Sequence, residues 1–212
     1  MPFVALETRA RELKMSLDKI VSRTVVVPAD WSLAFLHDVI QETFGWRDYH
    51  QYEFAKSKKI DAAKWTTDSE ELSDLGEYLE SSQMSISALL NKKGAKLYYI
   101  YDLGDYNEVE IVSLGNVSKP AMEDFETVGP DVVEDSMGIG GIEGILKIAE
   151  EGKGKQYKML KDWLSGAFGK TPEQVLAFPS VTDIYSRVFK LVKTASLANP
   201  KALSDCWDDY RV

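Results

Sequence analysis

The chain has 212 residues, 44% of them hydrophobic and 28% charged, and a formal net charge of −9. That size and balance predict a soluble globular protein with a core of its own, taken as one α+β domain over residues 1–212 on the element order that follows. The acidity disfavours nucleic acid as a partner, because broad phosphate-binding surfaces rely on Lys and Arg to displace counterions. A lone cysteine, Cys206, excludes an intrachain disulfide and a Cys-based zinc site.

Residues 12–28 alternate and are rich in β-branched side chains, which predicts two strands, the second ending at Pro28. A helix follows. Asp30 or Ser32 caps it, Leu33, Leu36, Ile40 and Phe44 follow its period, and Gly45 stops it. From Tyr49 the alternation YHQYEF predicts a strand running into a polar loop, where Lys56, Lys58 and Lys59 read as a solvated face. Residues 61–83 are acidic and irregular, with a short helix expected at Glu70–Glu80. SISALLNKKG suggests a helix of about two turns closed by Gly94. KLYYIYD and YNEVEIVSL then form a hairpin, with Tyr99 and Tyr101 on one face and Leu97, Tyr98 and Ile100 assigned elsewhere.

Residues 115–141 read as a long loop, the length at which a loop in a compact domain is usually functional. Helices are expected at IEGILKIAEEG, QYKMLKDWLSGAFG, TPEQVLAF and VTDIYSRVFKLVKTASLA, with Thr171-Pro172 capping the third and Asn199-Pro200 breaking the fourth. The layout is β-rich over 10–114 and helical over 142–198, with a tail at 199–212. It predicts a mostly antiparallel sheet with helices packed on one face. No apolar run reaches the ~18 residues of a membrane span, and MPFVALETRARELK lacks a signal-peptide core. A cytoplasmic protein with no membrane partner is expected.

The chemistry-bearing residues are few. Asp102 and Asp105 flank Gly104 in YDLGD, and turn chemistry alone accounts for both acids. His37 reads as a boundary histidine bonded by Gln41 or by backbone, and His50 sits near the end of the same helix. Two histidines with Asp102, Asp105, Glu134 or Asp135 can in principle hold a metal, although no ligand spacing demands it, so the metal stays unknown. MGIGGIEG lacks the Lys-Ser/Thr of a phosphate-binding loop, and Glu134 and Asp135 precede it, so it reads as a turn before a helix. No cofactor is implied. There is no Gly-x-Ser-x-Gly elbow, and Cys206 lies among acids that raise a thiol pKa.

LHDVIQETFGWRDYHQYEF, YIYDLGDYNEVEI and VEDSMGIGGIEG together resemble a microbial family. It is named after the third open reading frame of an Ri plasmid and also labelled insertion-sequence passenger TnpR. The likeness rests on Leu36-His37, Ile40-Gln41, Phe44-Gly45-Trp46, His50, Glu53-Phe54, Tyr101-Asp102 and Gly104-Asp105. Asn107 and Val109 stand where the family tends to have Trp and His, Val132-Val133 replace Pro-Pro, and Gly140-Gly141 is displaced. The resemblance implies an α+β fold and no assigned activity.

The candidate binding cleft is therefore His37, Gln41, Trp46, His50, Glu53, Tyr101, Asp102, Asp105, Glu134 and Asp135. Ten Tyr and five Trp favour a non-enzymatic binding or adaptor protein for a protein or small-molecule partner. A metal-assisted hydrolase using Asp, Glu and His is the alternative, followed by a mobile-element accessory protein that contacts DNA.

Overall fold

The computed structural model describes residues 10–17, 20–59, 61–67, 69, 70, 72, 74, 77–117 and 120–198. The N-terminal segment, Cys206 and the tail lie outside the described residues. Eight strands form one sheet in the order β5-β4-β3-β6-β7-β1-β2-β8. They are β1 (Ala10–Leu17), β2 (Val21–Pro28), β3 (Tyr52–Ala55), β4 (Lys64–Thr66), β5 (Tyr78–Glu80), β6 (Lys96–Tyr101), β7 (Asn107–Val117) and β8 (Glu126–Val128). All pairings are antiparallel except β4 with β5. Among the described residues there are six α-helices: α1 (Leu33–Phe44), α2 (Ile86–Leu89), α3 (Gly138–Glu151), α4 (Gly154–Phe168), α5 (Pro172–Leu176) and α6 (Val181–Ala198).

α1 forms where its caps and period place it. The Ser32 hydroxyl accepts from Phe35 N–H, and Gly45 closes the helix at φ 81°. Leu33, Leu36, Ile40 and Phe44 are each fully buried, which is worth roughly 1.5–3 kcal/mol per side chain. They pack with α6, through Ile184, Val188 and Val192, on one face of the sheet. Strand register decides which sheet residues meet them. Tyr99 lies opposite Val109 and Phe54, Leu97 opposite Ile111, and Tyr101 opposite Tyr52 and Asn107. Leu97 thus shares the face of Tyr99 and Tyr101, as a period of two requires. The opposite face carries the ion pairs Lys64–Glu53 and Lys96–Glu110 between strands, and Lys58, in the bend after β3, pairs with Glu108 of β7. A smaller core of Val133, Ala149, Leu160, Leu164 and Val175 joins α3, α4 and α5.

The α+β class and the one-sided packing agree with the sequence reading. Beyond the placement of Leu97, four local expectations do not. Residues 78–80 of the expected Glu70–Glu80 helix are strand β5, held by β4. α2 spans four residues and stops well before Gly94, because Leu90 already leaves helical geometry. The long loop is interrupted, since β7 continues to Val117 and β8 pairs with β2. α3 begins at Gly138 rather than at Ile142.

Candidate functional site

Three connections meet at the open end of α1: residues 45–51 after the helix, the β6–β7 turn at 102–106, and residues 129–137 before α3. Among the described residues, five non-glycine residues have positive φ, and all five lie here: Asp48, Asp102, Tyr106, Asp135 and Met137. Such backbone is costly and persists where surrounding bonds over-determine it.

The first set of bonds is a ring. Asp48 N–H donates to Gln41 Oε1 at 2.9 Å, which fixes the amide so that Gln41 Nε2 donates to the Tyr99 hydroxyl at 2.9 Å. The Tyr99 hydroxyl then has its proton for His37 Nδ1, 2.8 Å away, and His37 Nε2–H is left to donate to Asp48 Oδ1 at 2.9 Å. The circuit begins and ends on Asp48. It requires neutral His37 with the proton on Nε2 and protonated Tyr99. Burial supplies both conditions: it lowers His37 below its ordinary pKa despite the nearby Asp48 carboxylate, and it raises Tyr99 well above its own. His37 also stacks on Tyr52, with centroids 3.8 Å apart and planes 13° apart. It is a buried residue, 4% exposed, rather than a boundary one, and it reaches Gln41 through Tyr99 and through Asp48 rather than directly.

The second set centres on Tyr101. Its hydroxyl donates to Glu134 Oε1 at 2.7 Å and accepts Tyr49 N–H at 3.0 Å and His50 N–H at 3.4 Å. Glu134 Oε1 also accepts Arg47 N–H at 2.6 Å. Burial and the Glu134 carboxylate raise the Tyr101 phenol, so it stays a donor. Trp46 packs beside it, 4.8 Å from ring to ring.

The YDLGD turn holds the third connection. Asp102 Oδ1 accepts Gly104 N–H at 3.0 Å and Asp105 N–H at 3.2 Å, while Asp105 Oδ2 accepts Met137 N–H at 2.7 Å. Asp105 thus ties the start of α3 to the hairpin. Gly138 is required there, because a Cβ would stand 2.6 Å from the Asp105 carbonyl oxygen. Asp102 Oδ2 turns the other way and lies 3.8 Å from His50 Nε2, which is also 3.1 Å from Asp135 Oδ1. These three are the residues whose geometry can hold a metal among the described residues.

A cleft of about 620 Å³ opens beside this assembly, between α1 and residues 48–52. His37, Asp38, Asp48, Tyr49, His50 and Tyr52 contribute to its wall. Asp38 carries a carboxyl raised to about 6 by desolvation, with Asp48 and Glu42 adding repulsion. The residues expected from sequence divide accordingly. His37 and His50 line the cleft, and Gln41 sits behind it in the ring. Trp46, Tyr101 and Glu134 form the adjoining support, with Asp102, Asp105 and Asp135 at the turn. Glu53 alone is elsewhere: it bonds Lys64 at 3.0 Å and Tyr78 at 2.6 Å on the other face of the sheet. Asp48, Asp38, Tyr49, Tyr52 and Tyr99 were not singled out, although Asp48 directly follows the helix stop at Gly45-Trp46-Arg47, where a turn acid is a recognisable signal.

Residues 9–175 match the family described as plasmid pRiA4b ORF-3-like protein. The chain belongs to that family. The matched span of this pRiA4b ORF-3-like chain contains the whole ring and the His50 cluster. It is 35% identical over 97 residues to the uncharacterized protein y4hQ of Sinorhizobium fredii, which covers 44% of this chain and 47% of that protein. The chain therefore spans about half the length of that relative. It also superposes on the crystal structure of a protein of unknown function, MM3350 from Methanosarcina mazei Go1. The TM-score there is 0.58 at 26% identity, covering 79% of this chain and 96% of that one. No helix among the described residues is long and apolar enough to cross a membrane.

Proposed function

We propose that this protein is a cytoplasmic, non-enzymatic binding protein that seats a positively charged, hydrogen-bond-donating group in the cleft beside α1. The observation that carries the reading is the chemistry of the wall. Asp38 and Asp48 supply carboxylates, and no Lys or Arg is among the lining residues. A concave site with one sign of charge concentrates ligands of the other sign, and the net charge of −9 acts in the same direction. Tyr49, 69% exposed at the rim, offers a ring face on which a cation can rest.

The binding role is favoured over catalysis because the buried histidine is already committed. Both His37 nitrogens are spent inside the ring, so neither is offered to an incoming substrate as a base. The occupant is an amine or guanidinium, carried by a small molecule or by a Lys or Arg of a partner protein. Titration of the protein with agmatine, spermidine and an arginine-rich peptide, beside inorganic phosphate and citrate, tests this by chemical-shift perturbation. Cations are expected to move the resonances of Asp48, Tyr49 and His50, with weaker binding by Asp48→Asn. A preference for the anions overturns the reading.

A further inference from the structure

We propose that His50, Asp102 and Asp135 bind one divalent transition-metal ion. The cluster lies beyond the ring and shares His50 with the cleft wall, and its assignment does not rest on what fills the cleft.

Three observations point to it. The first is spacing. His50 Nε2 is 3.1 Å from Asp135 Oδ1 and 3.8 Å from Asp102 Oδ2, and the three ligand atoms lie within 4.8 Å of one another. Ligands about 2.0–2.2 Å from a common ion stand roughly 3.0–3.5 Å apart, so the donors need little movement to enclose one.

The second is orientation. Asp102 has one oxygen anchored by two backbone N–H groups, which aims the other at His50. The His50 backbone is held by Tyr101, and the segment carrying Asp135 is pinned by Asp105 on one side and by Glu134 on the other. Outer bonds of this kind orient the ligands of metal sites. Both aspartates have left-handed backbone, at φ 56° and φ 52°.

The third is a surplus of acceptors. The His50 Nε2 atom is shut off from solvent yet has no aligned hydrogen bond, even with two carboxylates in reach. Glu134 is 4% exposed, and its Oε2 also has no partner. Among the described residues, no Lys or Arg side chain forms an ion pair with Asp102, Asp135 or Glu134. Within the cluster, two carboxylates against one imidazole leave a negative excess that a divalent ion offsets. One nitrogen with carboxylate oxygens suits the manganese-to-zinc series better than calcium or magnesium, which take oxygen throughout. Three protein donors leave the remaining positions to water.

The test uses the untagged full chain, stripped with chelator. Zn²⁺ binding is read by calorimetry, and Mn²⁺ binding by loss of the free-ion electron paramagnetic resonance signal. The variants are Asp102→Asn, Asp135→Asn and His50→Gln. Asn tolerates left-handed backbone and keeps the Asx turn, so the fold is preserved, which near-UV circular dichroism checks. The expected result is one ion per chain with Kd below millimolar, weakened at least tenfold by each variant, while Glu110→Gln, on the opposite face of the sheet, binds as wild type. No such binding by the wild-type chain, or a loss smaller than tenfold in any of the three variants, overturns the assignment.

Discussion

Tyr99→Phe removes one oxygen from the centre of the ring and changes almost nothing in volume. Tyr99 is fully buried, so no bulk water replaces the hydroxyl. The Gln41 Nε2–H and the His37 Nδ1 lone pair, bonded at 2.9 and 2.8 Å, both lose their partner. An orphaned buried polar group costs about 1–3 kcal/mol. Two such groups with partial relaxation set the loss at about 2–4 kcal/mol, or roughly 5–15 °C in melting temperature for a chain of this size. Urea denaturation should show a lower midpoint with an unchanged slope. A double-mutant cycle with Gln41→Leu should give a combined loss smaller than the sum by at least about 0.5 kcal/mol, because the second change removes a donor already orphaned. A Tyr99→Phe loss below about 0.5 kcal/mol, with strict additivity, would refute the closed ring.

The remaining predictions concern charge and backbone. His37 is held below its ordinary pKa, so its contribution to stability is complete above about pH 6.5 and declines as the pH falls, by at most about 1.4 kcal/mol per unit. Asp38, raised to about 6, works in the opposite sense: folding holds its proton more tightly, so acidification through the range of about 4–6 adds stability. Asp38→Asn should therefore steepen the acid loss in urea titrations at stepped pH. At pH 7.5 the same change should stabilise by on the order of 0.5 kcal/mol, kept small by exposure; a destabilisation there would contradict the assigned repulsion. Asp131→Asn breaks the two-point pair with Arg187, at 3.0 and 2.9 Å, and takes the carboxylate away from fully buried Arg23, 3.6 Å distant. A loss near 3 kcal/mol is expected in thermal melts, and a loss under about 1 kcal/mol would mean that the carbonyls of Thr43, Val128 and Pro130 suffice for Arg23. Gly138→Ala places a Cβ on backbone at φ 71° and 2.6 Å from the Asp105 carbonyl. It should cost at least about 2 kcal/mol and abolish hydrogen-exchange protection of Met137 N–H, which unchanged protection would disprove.

Legibility in the sequence followed the range of the forces involved. α1 could be read to within a residue because its period and both caps, Ser32 and Gly45, are local. β5 and β8 could not, because three residues carry no period of their own and are strands only through β4 and β2. Leu97 was misplaced although alternation alone puts it with Tyr99 and Tyr101. In the site, the charged residues flanking turns were visible, but their division of labour was not. Asp102 serves the turn with one oxygen and faces His50 with the other, whereas Asp105 only fastens α3. Asp48 and Tyr99 escaped notice because one looks like a loop acid and the other like core. Their roles exist only once β6 is brought under α1.

The two margins of the sheet bear on how a partner can attach. β5 and β8, the outermost strands, have three residues each, about 10 Å of ladder apiece. That is too short for an added strand to gain a register of its own, and it leaves little template for chains to stack edge to edge. Leu79 and Val128, exposed on those margins, are thus single apolar contacts rather than parts of a docking rail. Among the described residues, main-chain pairing by an added strand is thus limited to short stretches at both margins.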